Sequence, residues 1–90
     1  MLDTLESLFK LARERKNSPV KDSYTNKLLS DKLLSKDKIL EEIKELIEAV
    51  EKNTNKIHEA ADVFYHLIIY LEANEIKIED VMTELKKRKK

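Results

Sequence analysis

Glycine, cysteine and tryptophan are absent from these 90 residues, and proline occurs once, at Pro19. Without glycine, the tight turns of β-hairpins and the loops that cradle phosphates lack their usual residue, which argues against a β architecture. Without cysteine there is neither a disulfide framework nor a thiolate metal site. No early apolar run has the form of a signal peptide. The longest apolar stretch is too short and too interrupted to span a bilayer, so no membrane partner is expected and the expected setting is the cytoplasm. The size suits one small domain, residues 1–90, with a core barely large enough to stand alone.

Charged residues make up 40% and hydrophobic residues 41%, a balance typical of amphipathic helices rather than disorder. The formal net charge of zero is unevenly spread: Lys86, Lys87, Arg88, Lys89 and Lys90 hold five of the eighteen basic residues. The remaining chain is acidic and poorly suited to neutralising nucleic-acid phosphates, so no nucleic-acid partner is expected. The basic end reads as a solvated helix terminus that complements the helix dipole.

Helical periodicity runs along most of the chain. A first helix starts at Asp3 or Thr4, with Glu6 completing a capping box from Asp3, and carries Leu2, Leu5, Leu8, Phe9 and Ala12 on one face. Asn17-Ser18-Pro19 stops it. Residues 25–34 form a short helix or turn of unclear period. Ser35 is the expected N-cap of a helix over 36–51, with an apolar stripe of Ile39, Leu40, Ile43, Leu46, Ile47 and Val50. The polar turn 52–55 sends the next helix back antiparallel. Asn74 is the expected left-handed stop, and a last helix from Ile78 is expected to bury Val81, Met82 and Leu85. The expected fold is all-α, an antiparallel helical bundle of four to five helices.

Between Ile57 and Leu71 the chain is apolar around nearly the whole helical circumference, which predicts a buried helix. Tyr65, Ile69 and Tyr70 extend this surface beyond what one neighbouring helix can cover. Completion of the bundle by homo-oligomerisation, as a homodimer or a higher assembly, is the expected remedy.

One narrow stripe interrupts that helix. Glu59, Asp62 and His66 fall within about 60° of one another. Upstream, Glu42 and Glu45 form a second pair at i, i+3, with Glu41 and Glu48 on the far side towards water. Like charges about 6 Å apart repel by roughly 3 kcal/mol at an effective dielectric of about 20. Such a set requires water, protons or a shared divalent cation. All-oxygen donors point to Mg²⁺, with Mn²⁺ as a substitute. A Glu-rich helix alone reads as a solvated face; the second pair, on an apolar helix without a local basic partner, favours the cation. His66 reads as a core histidine or a hydrogen-bond donor to the carboxylates, and less readily as a ligand. His58 reads as exposed.

The pattern Glu41-Glu42-Ile43-Lys44-Glu45, thirteen intervening residues, then Glu59-Ala60-Ala61-Asp62, resembles the metal motif of the all-α, MazG-like nucleoside-triphosphate pyrophosphohydrolases. Within them, Ser23-Tyr24-Thr25-Asn26-Lys27-Leu28, Glu59 through Leu67, and Ile78 through Leu85 resemble the phosphoribosyl-ATP pyrophosphatases of histidine biosynthesis. The similarity covers nearly the whole chain. It departs where the family often carries glycine before its Glu pair: Leu40 or Lys44 stands there, depending on register. An ungapped register would move the motif to Glu45 and Glu48; the register with Glu41-Glu42 is preferred because it sets Glu42 and Glu45 beside the apolar stripe.

The resemblance implies Mg²⁺-dependent cleavage between the α- and β-phosphates of phosphoribosyl-ATP. It implies Glu42, Glu45, Glu59 and Asp62 as metal ligands, and Glu41 or Glu45 to orient the attacking water. Arg15, Lys16 and Lys27 are the expected phosphate contacts, with Ser23, Tyr24 and Thr25 shaping that side of the site. Two other readings stay open: a house-cleaning pyrophosphatase for non-standard nucleotides, and a non-catalytic helical interaction module.

Overall fold

The computed structural model describes residues 2–89, which are all-helical, without strands. The expectation for Lys90 in the basic run lies outside the described residues.

Helix α1 (Asp3–Asn17) has Leu2 at its cap position and no side-chain cap. The expected capping box is therefore absent: Asp3 already lies inside the first turn, where Asp3 and Glu6 complement the dipole instead. After Pro19, the backbone N–H of Val20 donates to Asn26 Oδ1 at 2.8 Å. Ser23 then caps α2 (Tyr24–Ser30), its side chain accepting from the Asn26 N–H at 3.3 Å. The chain breaks for one residue. Asp31 caps α3 (Lys32–Lys52) by accepting from the Leu34 N–H at 3.0 Å. This corrects the expectation for Ser35, which is interior to α3 and buried, because the better cap lies one turn earlier.

Asparagine and glutamate do the work usually left to glycine. Asn53 (φ 55°) ends α3 in a left-handed conformation, with Thr54 N–H donating to the Ala49 carbonyl and Asn53 N–H to that of Val50. That pair of bonds is a Schellman closure. Asn55 (φ 48°) completes the turn into α4 (Lys56–Ala73). The same closure ends α4, with Ile76 N–H on the Leu71 carbonyl and Glu75 N–H on that of Glu72. Here the left-handed residue is Glu75 (φ 59°) and not Asn74, whose side chain instead donates to the Tyr70 carbonyl at 2.9 Å. Helix α5 (Ile78–Arg88) follows.

The core joins α1, α2 and α4 through Ala12, Leu28, Leu29, Ile68, Ile69 and Ala73, with Leu34 of α3 and Ile78 of α5 packed at its margin. Helices α3 and α4, joined by three residues, make the most extensive pairing. Three expectations about burial need correction. Ile69 is fully buried, so it adds nothing to the uncovered surface, and Tyr65 and Tyr70 are half-buried. The large apolar residues of α4 left exposed are Ile57, Phe64 (54% exposed) and Leu67 (41%), so α4 is buried along one side only. On α3 the single apolar stripe divides. Ile39 and Ala49 are buried and Leu46 half-buried, whereas Leu40, Ile43, Ile47 and Val50 are exposed. Finally, α5 buries none of its residues: Val81 is half-buried, and Met82 and Leu85 are exposed.

A two-pronged ion pair orients α5 on α1, beside the contact of Ile78 with the core. Arg13 donates from Nη1 and Nη2 to the Glu79 carboxylate at 2.9 and 2.8 Å, a fork-to-fork geometry that fixes orientation. The Arg13 hydrogen bonds hold the Glu79 carboxyl down at about 2. A depressed acid stabilises the fold above its ordinary value, and that contribution is lost as pH falls through the folded value. Acidification from about pH 4.5 towards 2 should therefore loosen α5. In Glu79→Gln this acid limb should flatten in circular-dichroism melts; an unchanged limb would assign it to other carboxyls.

Candidate active site

A short turn brings Glu59 against Glu42 and Glu45, while Asp62 groups with Glu59 and His58. Because α3 and α4 are linked by only three residues, the middle of α3 returns opposite the first turns of α4. One carboxylate oxygen each from Glu42, Glu45 and Glu59 lies within 4.8 Å of the others. A second group overlaps it through Glu59: His58, Glu59 and Asp62 offer ligand atoms within the same span. Two oxygens, Glu42 Oε2 and Glu59 Oε2, are sealed from solvent and have no hydrogen-bond partner. A buried oxygen without a donor is costly, so its persistence needs a proton or a cation.

The titration of these groups carries the same signature. Burial first, then the Glu45 charge, pushes the Glu42 carboxyl above its ordinary value, with Asp62 adding and His66 opposing. Glu59 is also pushed up, by burial and then by Glu45 and Asp62. The donor set is oxygen-rich, anionic and short of internal partners. It fits a hard divalent cation.

The remaining residues singled out in the sequence fall into distinct places. Glu41 is exposed and faces Lys38 at 3.5 Å, outside the convergent group; Glu48 is exposed as well. Arg15, Lys16, Ser23, Tyr24, Asn26 and Lys27 line one open cleft of about 810 Å³ between α1 and α2. Within it Arg15 Nη1 donates to Ser23 Oγ at 3.0 Å, whereas Lys16 Nζ turns away to α4 and donates to the Glu72 carbonyl at 2.9 Å. Thr25 is buried and hydrogen-bonded to the Tyr65 hydroxyl, so its side chain joins α2 to α4. Asn26, which sequence reasoning passed over as a separate residue, holds the cleft's loop closed by donating to the Arg15 carbonyl at 2.8 Å.

His66 connects cleft and acids. Its Nδ1 lies 2.8 Å from the Asp62 carbonyl, which can only accept, so Nδ1 carries the proton. Nε2 is hydrogen-bonded to the Tyr24 hydroxyl at 3.0 Å. The ring is buried, edge-on to both Tyr24 and Tyr65. Of the sequence-level alternatives, the geometry matches a core histidine that also donates near the acids. A double-mutant cycle between Tyr24→Phe and His66→Gln should return a coupling of about 0.5–1.5 kcal/mol in urea unfolding. Strict additivity would rule this bond out as a contributor. His58 is exposed, as expected, yet its Nε2 stands 3.4 Å from Asp62 Oδ2. Its signal in the sequence was the i, i+4 spacing to Asp62.

An all-helical chain whose acids meet across one hairpin has the framework of the all-α pyrophosphohydrolases. The chain belongs to the phosphoribosyl-ATP pyrophosphohydrolase family, whose model matches residues 3–89. A phosphoribosyl-ATP pyrophosphatase of Bacillus mycoides is 44% identical over 98% of this chain and 85% of its own length. One from Clostridium novyi is 41% identical over 99% of the chain and 84% of its own length. A histidine biosynthesis bifunctional protein of Pyrococcus furiosus is 38% identical over 99% of the chain, which spans 43% of that relative.

Proposed function

We propose that this protein hydrolyses phosphoribosyl-ATP to phosphoribosyl-AMP and pyrophosphate, the second step of histidine biosynthesis, using Mg²⁺ with Mn²⁺ as a substitute. The observation that carries the reading is the pair of sealed, unpartnered oxygens, Glu42 Oε2 and Glu59 Oε2, within an acid cluster of a chain from this family. Glu42, Glu45, Glu59 and Asp62 would hold the cation. When bound, it would supply charge neutralisation on the phosphoryl oxygens and a lowered pKa for the attacking water.

The rest falls to the chain's own groups. Glu45, with a carboxylate oxygen within 4.8 Å of Glu42 and Glu59, would orient the water and accept its proton. Glu41, engaged by Lys38 outside the cluster, leaves that role to Glu45. Arg15 and Lys27, on the wall of the α1–α2 cleft, supply positive charge for the triphosphate, and Tyr24 joins that wall to the acids through His66. Lys16 borders the same wall, with its ammonium turned to the Glu72 carbonyl. Ser23 orients Arg15, and Thr25 holds α2 in place.

The fold completes itself by self-association into an antiparallel bundle, most simply a homodimer. Leu40, Ile43, Ile47 and Val50 on α3 and Phe64 and Leu67 on α4 supply an uncovered apolar surface too large for an isolated chain. No helix among the described residues is long and apolar enough to cross a membrane. We place the enzyme in the cytoplasm, acting on a small nucleotide rather than a nucleic acid.

A pyrophosphate-release assay decides the substrate. Phosphoribosyl-ATP should be turned over only with Mg²⁺ or Mn²⁺, and at least about tenfold more efficiently than ordinary or modified nucleoside triphosphates. The reverse preference would make the protein a house-cleaning pyrophosphatase. Absence of turnover on every nucleotide would leave the non-catalytic module.

A further inference from the structure

The acidic set is not purely an oxygen set. His58 opens α4 one turn before Asp62, and its Nε2 stands 3.4 Å from Asp62 Oδ2. Around an octahedral ion with bonds of about 2.1 Å, adjacent donors lie about 3 Å apart and opposite donors about 4.2 Å. The 3.4 Å His58–Asp62 separation falls inside that range, and Glu59 offers a third donor within 4.8 Å of both, a span that reaches just past it. The residue shared with this pair, Glu59, also carries the sealed and unpartnered Oε2 on which the reading of a cation site rests. An exposed His–Asp ion pair satisfies neither that oxygen nor any need of the fold, since such pairs contribute little to stability. The only other imidazole, His66, has both ring nitrogens engaged, one on the Asp62 carbonyl and one on Tyr24.

We propose that His58 supplies an imidazole nitrogen to a divalent cation held with Glu59 and Asp62, giving this part of the centre a preference for Mn²⁺ over Mg²⁺. The proposal rests on the reading of the acid cluster as a cation site. Glu59 belongs to two donor groups of different softness: one with Glu42 and Glu45, all oxygen, and one with His58 and Asp62. Carboxylate and water suit Mg²⁺, whereas imidazole moves the balance towards the first-row transition ions. His58 therefore sets ion choice without being needed for the ion to bind.

The test uses the untagged chain loaded with Mn²⁺ alone, read by electron spin-echo envelope modulation for coupling to a directly bound ¹⁴N. Titration of free Mn²⁺ by electron paramagnetic resonance, with Mg²⁺ as competitor, gives both affinities. Wild type should show the nitrogen coupling. His58→Ala, with helicity unchanged, should lose it and bind Mn²⁺ about tenfold or more weakly, since even supporting contacts to a ligand are worth 10–100-fold. Its Mg²⁺ affinity should stay within about threefold. Mn²⁺ bound without nitrogen coupling in wild type would overturn the role of His58 and leave the carboxylate centre intact. So would coupling that persists in His58→Ala, or an equal loss of both ions. If wild type binds neither ion, the cation site itself is wrong, and the role of His58 goes with it.

Discussion

Glu59→Gln is expected to lower cation-dependent pyrophosphate release by at least about 10²–10³-fold, the scale on which a positioned charge acts at a transition state. The size of the effect follows from position. Glu59 is the one carboxylate shared by both donor groups, and its sealed oxygen has no other partner. The amide keeps the shape but places two N–H donors where anionic oxygen is needed. The same change should help the metal-free fold, because it removes a carboxyl that burial and the charges of Glu45 and Asp62 disfavour. Wild type should gain thermal stability on adding Mg²⁺ in proportion to the logarithm of free ion, and Glu59→Gln should not.

The pH dependence has a definite sign. Acids whose folded values are raised, as for Glu42 and Glu59, favour the neutral form in the fold. Their contribution to the metal-free protein is present at low pH and lost as pH rises from 4.5 through the raised values. Bound cation should abolish that decline. Melting curves with chelator and with Mg²⁺ across this window check both halves. Retention of full activity in Glu59→Gln would remove the acid cluster from the chemistry.

If the chain self-associates as proposed, Phe64→Glu is expected to dissociate it. Phe64 is 54% exposed on α4, where it lines an apolar groove with Leu2, Leu5 and Leu8 at the start of the chain. A charge buried in a dimer core without a partner should weaken association by about 2 kcal/mol or more, roughly thirtyfold in the dissociation constant. Light scattering on a sizing column should then report a species near 10.6 kDa where wild type gives a multiple of it. Ile47→Lys on α3 should act in the same direction. A wild-type protein that runs as a monomer would remove the interface altogether.

Much of this was legible in the residues because it depends on local chemistry. The absence of glycine and the helical spacing of apolar residues point to helices. Asn17-Ser18-Pro19 stops the first helix, and the polar turn 52–55 reverses the chain. The i, i+3 acid pairs required only 3.6 residues per turn to share a face. What was misread involved competition between neighbours. Asp31 and Ser35 are both good caps one turn apart, and nothing local ranks them. Asn74 and Glu75 compete in the same way for the left-handed position. There the closing hydrogen bonds to Leu71 and Glu72 select Glu75, a residue that propensity alone would pass over.

Periodicity along a single helix tells which residues avoid water, but it cannot say whether a neighbour in the same chain or another copy will cover them. Hence one stripe on α3 divides into buried Ile39 and exposed Leu40, and Met82 and Leu85 stay uncovered. The chain's own order of residues was sufficient for an all-helical fold carrying two acid pairs. Which oxygens are sealed and that His66 ties Tyr24 to the acid helix required the packed helices. Those are distances between residues far apart along the backbone or side-chain directions set by packing, and neither is encoded in local spacing.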